Sequence, residues 1–339
     1  MIGGTGPIGL ATARRLLAAG WEVDLTGRDP ERLPAELAAA EARFVAADRT
    51  NPVQLGDALG AGADLLVDCI CYTAADARLL LPLAREAGST VLISSKAVYV
   101  DGAGNHSNSD VAPRFDGPIR ETQPTMAPSD VPHDSREGYG ANKVAAEQVL
   151  LDSGLPVTVL RPSKVHGLGA ARPREWVFVK RVLDRRPAVF LARRGAGVDH
   201  TTAAANIAAL IETVAAAPGT RILNSADPDA PSALEISRTI ARRLEHEWDE
   251  VLLGERADGL GRTPWDAEHP IVLDMSAALE LGYAPAGDYA ATVAEEVDWL
   301  VSRARQDLAA LPNRDDTFFG PMLDYGAEDR YLAEAIPAG

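Results

Sequence analysis

Three sets of residues have the types and spacing to do chemistry. In "GYGANKVAAEQVL", Tyr139 and Lys143 stand four positions apart on a stretch that reads as helix, so they share one face. A phenol loses its proton at about pH 10 in water, and a nearby ammonium favours the phenolate. A tyrosine tuned in this way passes a proton to or from a substrate oxygen near neutral pH. In "TVLISSKAVY", Ser94 and Ser95 close a run that reads as strand from Thr90. At the carboxyl edge of a parallel sheet, such a serine either hydrogen-bonds a reacting oxygen or closes its own turn. The chain opens "MIGGTGPIG", with Gly3, Gly6 and Gly9 evenly spaced before an apolar helical stretch. A turn that packs against a pyrophosphate has no room for Cβ atoms. The helix behind it supplies N–H groups and a positive dipole end. Gly3, Thr5, Gly6, Pro7, Ile8 and Gly9 are therefore the expected phosphate turn of a dinucleotide site.

The next strand end bears on which dinucleotide. An NAD site usually places an acid there for the ribose hydroxyls. "LTGRDP" places Gly27 at that position and Arg28 after it. A guanidinium suits a 2′-phosphate, so NADP(H) is the expected cofactor and NAD the alternative. Asp48, ending the following strand, either binds the adenine amino group or caps the next turn.

The elements that must hold these groups alternate. Helices are expected at 10–20, 29–40, 75–88 and 138–154. Strands are expected at 21–27, 42–48, 64–72, 90–95, 156–162 and 221–226. Asp29 and Pro30 read as the cap and first residue of the 29–40 helix. Near-continuously apolar strands alternating with helices predict a doubly wound parallel sheet covered on both faces. Residues 101–138, rich in Gly, Pro, Ser and Asp, predict a long functional loop. Further helices are expected at 233–246 and 290–304. The aromatic-bearing tail is expected to pack on the body.

Together these features resemble the extended short-chain dehydrogenase/reductase family of NAD(P)-dependent epimerases, dehydratases and reductases. The resemblance rests on the glycine turn, on Ser95 four residues before Tyr99, and on Tyr139-x-x-x-Lys143. It continues through "GPIRETQP" (117–124), "LRPSKVHG" (160–167) and "LDMSAALELGYAP" (273–285). It implies a Rossmann-like domain over 1–162, with 198–226 returning to it, and a smaller interleaved substrate domain over 163–309. Residues 310–339 form the tail. It implies Tyr139 as acid/base, Ser95 on the substrate oxygen, and Lys143 on the nicotinamide ribose. Thr73, Arg161 and Pro162 join the expected cofactor contacts. Lys96, His166, Arg174 and Trp176 are the expected substrate contacts. It also implies a homodimer through the 75–88 helix and the helix of Tyr139.

Departures from the pattern narrow the chemistry. The family's 4,6-dehydratases carry an Asp–Glu pair after the strand-end hydroxyl, where this chain has Lys96 and Ala97. Its nucleotide-sugar enzymes usually carry an Arg where "GVDHTTAAANIA" offers Asp199 and His200. The expected function is hydride transfer between NADP(H) and a carbonyl or secondary alcohol of a small molecule. A sugar or nucleotide-sugar epimerase is the near alternative. A dinucleotide-sensing or RNA-associated protein is the alternative from another class.

Composition limits the partners. With 33 basic and 49 acidic residues the net charge is −16, which repels nucleic acid. No uncharged run reaches membrane-spanning length. Cys69 and Cys71, two apart on a strand, are poorly placed to bridge. They fit a reducing cytoplasm, and no metal site is expected. Only Met1 and Ile2 precede the glycine turn, so the first strand is expected as a stub. The expected reason is a natural start that lies several codons upstream, or a shortened chain.

Overall fold

In the computed structural model, which describes residues 1–254 and 259–335, the glycine turn leads into helix α1, Pro7–Ala18. Pro7 suits the first helical turn, where an N–H would have no partner in any case. The elements then alternate: β1 (Asp24–Gly27), α2 (Ala35–Ala39), β2 (Arg43–Ala46), α3 (Pro52–Leu59), β3 (Ala63–Asp68), α4 (Ala74–Arg85) and β4 (Ala87–Ile93). After the long loop come α5 (Gly138–Leu151) and β5 (Val157–Pro162). The expected 29–40 helix is interrupted. Asp29 does cap a short 3₁₀ turn at Pro30–Arg32, but Pro34 cannot donate and holds Leu33 extended, so α2 begins only after it. Helix α3, not anticipated from the sequence, is capped by the Asn51 side chain.

The main sheet is parallel throughout. β1 pairs with β2, and β3, β4, β5 and β9 (Arg221–Ser225) follow in that order. Ile2 joins the two groups by bridging Thr26 and Asp68. Its N–H donates to Val67 O (2.8 Å) and its carbonyl accepts from Cys69 N (3.0 Å). Met1 O accepts from Thr26 N (2.9 Å). The central strand is thus a stub. On its amino-terminal side β1 and β3 part around a cavity of about 570 Å³, lined by Val23 and Asp24 opposite Ala63 and Leu65.

The second half crosses back and forth. β6 (Lys164–His166) pairs in parallel with β8 (Thr201–Ala203), which leads into α7 (Ala204–Ala216) against α1. Between them lie α6 (Trp176–Leu183) and β7 (Ala188–Leu191). β7 pairs with β10 (Asp249–Leu252), which follows α8 (Ala233–Arg243). Helices α9 (Ser276–Glu280), α10 (Tyr289–Gln306), α11 (Gly320–Leu323) and α12 (Gly326–Ala335) complete the chain. Leu311, Phe319, Met322 and Leu323 share a core with Trp176, Phe178, Trp265 and Leu300. An Arg181–Glu328 ion pair (2.6 Å) ties α12 to α6. No helix among the described residues is long and apolar enough to cross a membrane.

Candidate active site

The phosphate turn comes first. Gly9 packs so tightly that a Cβ there would lie 2.4 Å from Gly4 O, whereas a Cβ on Gly6 would meet only Gly3 O at 3.7 Å. Gly6 caps α1 without a side-chain bond, and the first turn has no acid. A helix start of this kind has the dipole end that suits an anion. Ile8 packs into the core beside Val67. Gly27 ends β1 beside this turn: a Cβ there would lie 3.3 Å from Thr5 Oγ1. Arg28 follows, exposed.

Two expected cofactor residues are engaged locally. Asp48 Oδ1 accepts from Thr50 N and Oγ1, both 2.8 Å, so it closes its own turn, and those bonds lower its pKa. Thr73 caps α4 in a reciprocal box with Asp76. Behind them lies an ion-pair group that sequence reading did not single out. Arg49 binds the buried Asp68 (2.6 Å) and Asp76 (3.0 Å) and donates to Ile70 O (3.0 Å). It fixes the loop after β3.

Helix α5 carries the expected catalytic pair. Its first turn is anchored from the long loop, where Ser135 Oγ accepts from Gly138 N (2.9 Å). Gly140 lets that turn approach the segment after β4: a Cβ there would lie 2.3 Å from Ala97 O. Ser95 is half-buried at this junction and accepts from Ala97 N (3.1 Å), capping the 3₁₀ turn Lys96–Val98. The fold thus brings the Ser95 turn against the Tyr139 turn. Lys143 is buried, and its Nζ donates to Cys71 O (2.8 Å), in the loop after β3, and to Ile93 O (3.0 Å), at the end of β4. The ammonium lies 4.5 Å from the ring centre of Tyr72 and 6.0 Å from that of Tyr139. Tyr72 in turn stacks on His133 at 5.5 Å. A lysine has three N–H donors. Two are spent on carbonyls, which leaves one for a further oxygen.

Residues 3–171 match the family model described as NAD(P)H-binding. Among solved structures, a UDP-N-acetylglucosamine 4-epimerase from Methanobrevibacter ruminantium in complex with UDP-N-acetylmuramic acid is similar at TM-score 0.68. It is 18% identical and is covered over 97% of its length by 89% of this chain. A dTDP-glucose 4,6-dehydratase from Bacillus anthracis in complex with NAD gives 0.65 at 14% identity, over 96% of its chain and 90% of this one. A UDP-glucose 4-epimerase from Thermus thermophilus in complex with NAD gives 0.64 at 18%, over 97% and 88%. No curated protein sequence matches significantly. Residues 3–171 form an NAD(P)H-binding domain, and the chain has the Rossmann-like fold of these short-chain dehydrogenase/reductase epimerases and dehydratases.

Within this short-chain dehydrogenase/reductase fold, the remaining expected residues divide. Arg161 is buried in a paired geometry with Glu147 and lies 4.8 Å from the Tyr99 ring centre. Glu147 also accepts from Ser94. Arg161 and the buried Pro162 therefore belong to the core behind the expected cofactor face. Trp176 is a correction: it is fully buried, and its indole N–H donates to Pro312 O (2.7 Å). The tail claims it, because α6 turns its apolar face to residues 311–323. Lys96 is buried in an ion pair with Asp199, whose other oxygen lies 3.0 Å from Lys164. Burial, reinforced by Lys164 and Arg174, pushes the Lys96 ammonium down. Burial and Arg174 hold Lys164 at about 7. Arg174 is largely buried, donates to Val165 O (3.1 Å), and burial lowers its pKa too. Lys164 was not singled out as a contact, although three of the chain's four lysines, Lys96, Lys143 and Lys164, belong to this region. That scarcity was the available signal. His166 is buried, with Nε2 2.9 Å from Asp227 Oδ2. Burial pulls its pKa down, but the Asp227 bond and charge outweigh this and raise it.

Proposed function

We propose that this chain is an NADP(H)-dependent oxidoreductase of small molecules, acting on a carbonyl or secondary alcohol. Nicotinamide, when bound, supplies or accepts the hydride. Tyr139 gives a proton to the carbonyl oxygen during reduction and takes it back during oxidation. Ser95 holds that oxygen. Lys143 keeps its third donor for the nicotinamide ribose and stabilises negative charge on Tyr139. The observation that carries this reading is the pinned Lys143 ammonium under the rings of Tyr72 and Tyr139. Arg28, free at the end of β1 with glycine where an acid would serve NAD, supports the 2′-phosphate.

The substrate side supports an anionic or strongly polar small molecule near Lys96, Lys164 and Arg174. A sugar epimerase is the second reading, favoured by the similar structures named above. Asp199 speaks against a nucleotide diphosphate, because it sets a carboxylate between Lys96 and Lys164. The free Cys69 and Cys71 fit a cytoplasmic protein.

Tyr139→Phe tests the reading. Turnover on carbonyl substrates with NADPH should fall by about 100- to 10,000-fold, with NADPH affinity nearly unchanged. Near-normal turnover would overturn the mechanism. Isomerised product without net NADPH consumption would favour the epimerase.

A further inference from the structure

Three side chains from distant parts of the sequence converge inside the second half of the fold. His166 ends β6, Glu175 directly precedes α6, and Glu296 lies within α10. Each offers a donor atom within 4.8 Å of the other two. They are 2%, 1% and 0% exposed.

Most of the surrounding polar atoms are already committed. His166 Nε2 is bound to Asp227, Glu296 Oε2 accepts from Gly167 N, and the Tyr289 hydroxyl bonds Glu175 Oε1 (3.3 Å). Two atoms in the cluster have no hydrogen-bond partner: His166 Nδ1 and Glu296 Oε1. Buried polar atoms are nearly always paired, so two orphans in one cluster need an explanation.

We propose that this cluster binds one divalent transition-metal ion of the zinc class, through His166 Nδ1 and the carboxylates of Glu175 and Glu296. Imidazole with carboxylates is a donor set suited to such ions. Asp227 completes the usual outer arrangement, in which a ligating histidine gives its other N–H to a carboxylate. That bond fixes the tautomer and leaves Nδ1 as the lone-pair donor.

Zinc bonds of about 2.0–2.2 Å require donors about 3.4 Å apart, so binding closes the cluster by about an ångström. Carboxylate rotation supplies that movement. The ion would clamp α10 and the start of α6 to β6, and so hold the substrate side of the cleft. The sequence hid this site because its members lie at 166, 175 and 296, far from any short ligand spacing.

The test is metal binding by the full chain, independent of turnover. Protein stripped with a chelator is titrated with Zn²⁺ by calorimetry and with Co²⁺ by visible absorption. The expected result is one equivalent bound, a Co²⁺ ligand-field band, and a higher melting temperature with Zn²⁺. Glu296→Gln, close in shape, should weaken Zn²⁺ binding by at least about tenfold, and Asp227→Asn by about 10- to 100-fold. Exposed Glu268→Gln is the control and should bind as wild type. If wild type binds no stoichiometric Zn²⁺ and shows no Co²⁺ band, the proposal fails, whether or not the variants fold. Folded Glu296→Gln that binds Zn²⁺ like wild type would also overturn it.

Discussion

Lys143→Met separates the two tasks that the structure gives this lysine. The wild-type ammonium donates to two carbonyls, in the loop after β3 and at the end of β4, at 2.8 and 3.0 Å, in a site only 2% exposed. Methionine refills the stem but donates nothing. Hydrogen bonds to a charged group contribute about 1.5–3 kcal/mol each, so about 3–6 kcal/mol is lost. Relief from burying an ammonium returns part of that, and a net loss of about 2–4 kcal/mol is expected. With a urea slope of about 3 kcal/mol per molar, the unfolding midpoint should fall by about 1 M. NADPH affinity and turnover should fall with it. Tyr139→Phe, by contrast, should lose turnover while keeping its midpoint. A Lys143→Met midpoint within about 0.3 M of wild type would show that the carbonyl pair is not held as described. The lysine would then be catalytic without being structural.

Arg28→Ala should weaken NADPH binding by about 10- to 100-fold and leave NADH unchanged, as read by fluorescence titration. Asp101 anchors the long loop by accepting from the N–H groups of Ala103, Asn105 and Arg114 at 2.8–2.9 Å. Burial pushes its carboxyl up, but these bonds outweigh it and hold the pKa at about 2, below the ordinary 3.8. Its stabilisation is therefore complete above about pH 4 and lost as pH falls through about 2. The melting difference between wild type and Asp101→Ala should shrink across that window, and protease should cut the variant's loop faster at neutral pH. We further predict a homodimer through α4 and α5, where Leu79 is half-buried while its neighbours Leu80 and Leu83 go to the core. A light-scattering mass of one chain at micromolar concentration would refute it.

What was legible in the sequence is what local physics decides. The alternation of strands and helices and the helices that carry the glycine turn and the Tyr139–Lys143 spacing depend on neighbours within a few positions, and α1, α5 and the parallel strands stand where they were expected. Arg161 and Trp176 show the opposite case. An arginine after a strand and a tryptophan after a loop look like contacts for a ligand. Their actual partners, Glu147 and the Pro312 carbonyl, are supplied by a helix on the sheet and by the distant tail. Nothing in the spacing announces either. Pro34 marks the limit from another side: the amphipathic run of 29–40 was read correctly, yet one residue without an N–H divides it.

The same distinction applies to the strand position before the glycine turn. A central strand has two tasks, to fill the sheet and to present the turn at its carboxyl end. Ile2 and its neighbours perform the second with a few backbone hydrogen bonds, to Val67 and Cys69 on one side and Thr26 on the other. On the amino-terminal side of Ile2, β1 and β3 part around the cavity. The cavity lies at the amino-terminal ends of these strands, away from the phosphate turn. The glycine turn is therefore positioned by these backbone bonds, while the cavity bears on stability. The proposed chemistry gathers at one end of the sheet and the cavity lies at the other.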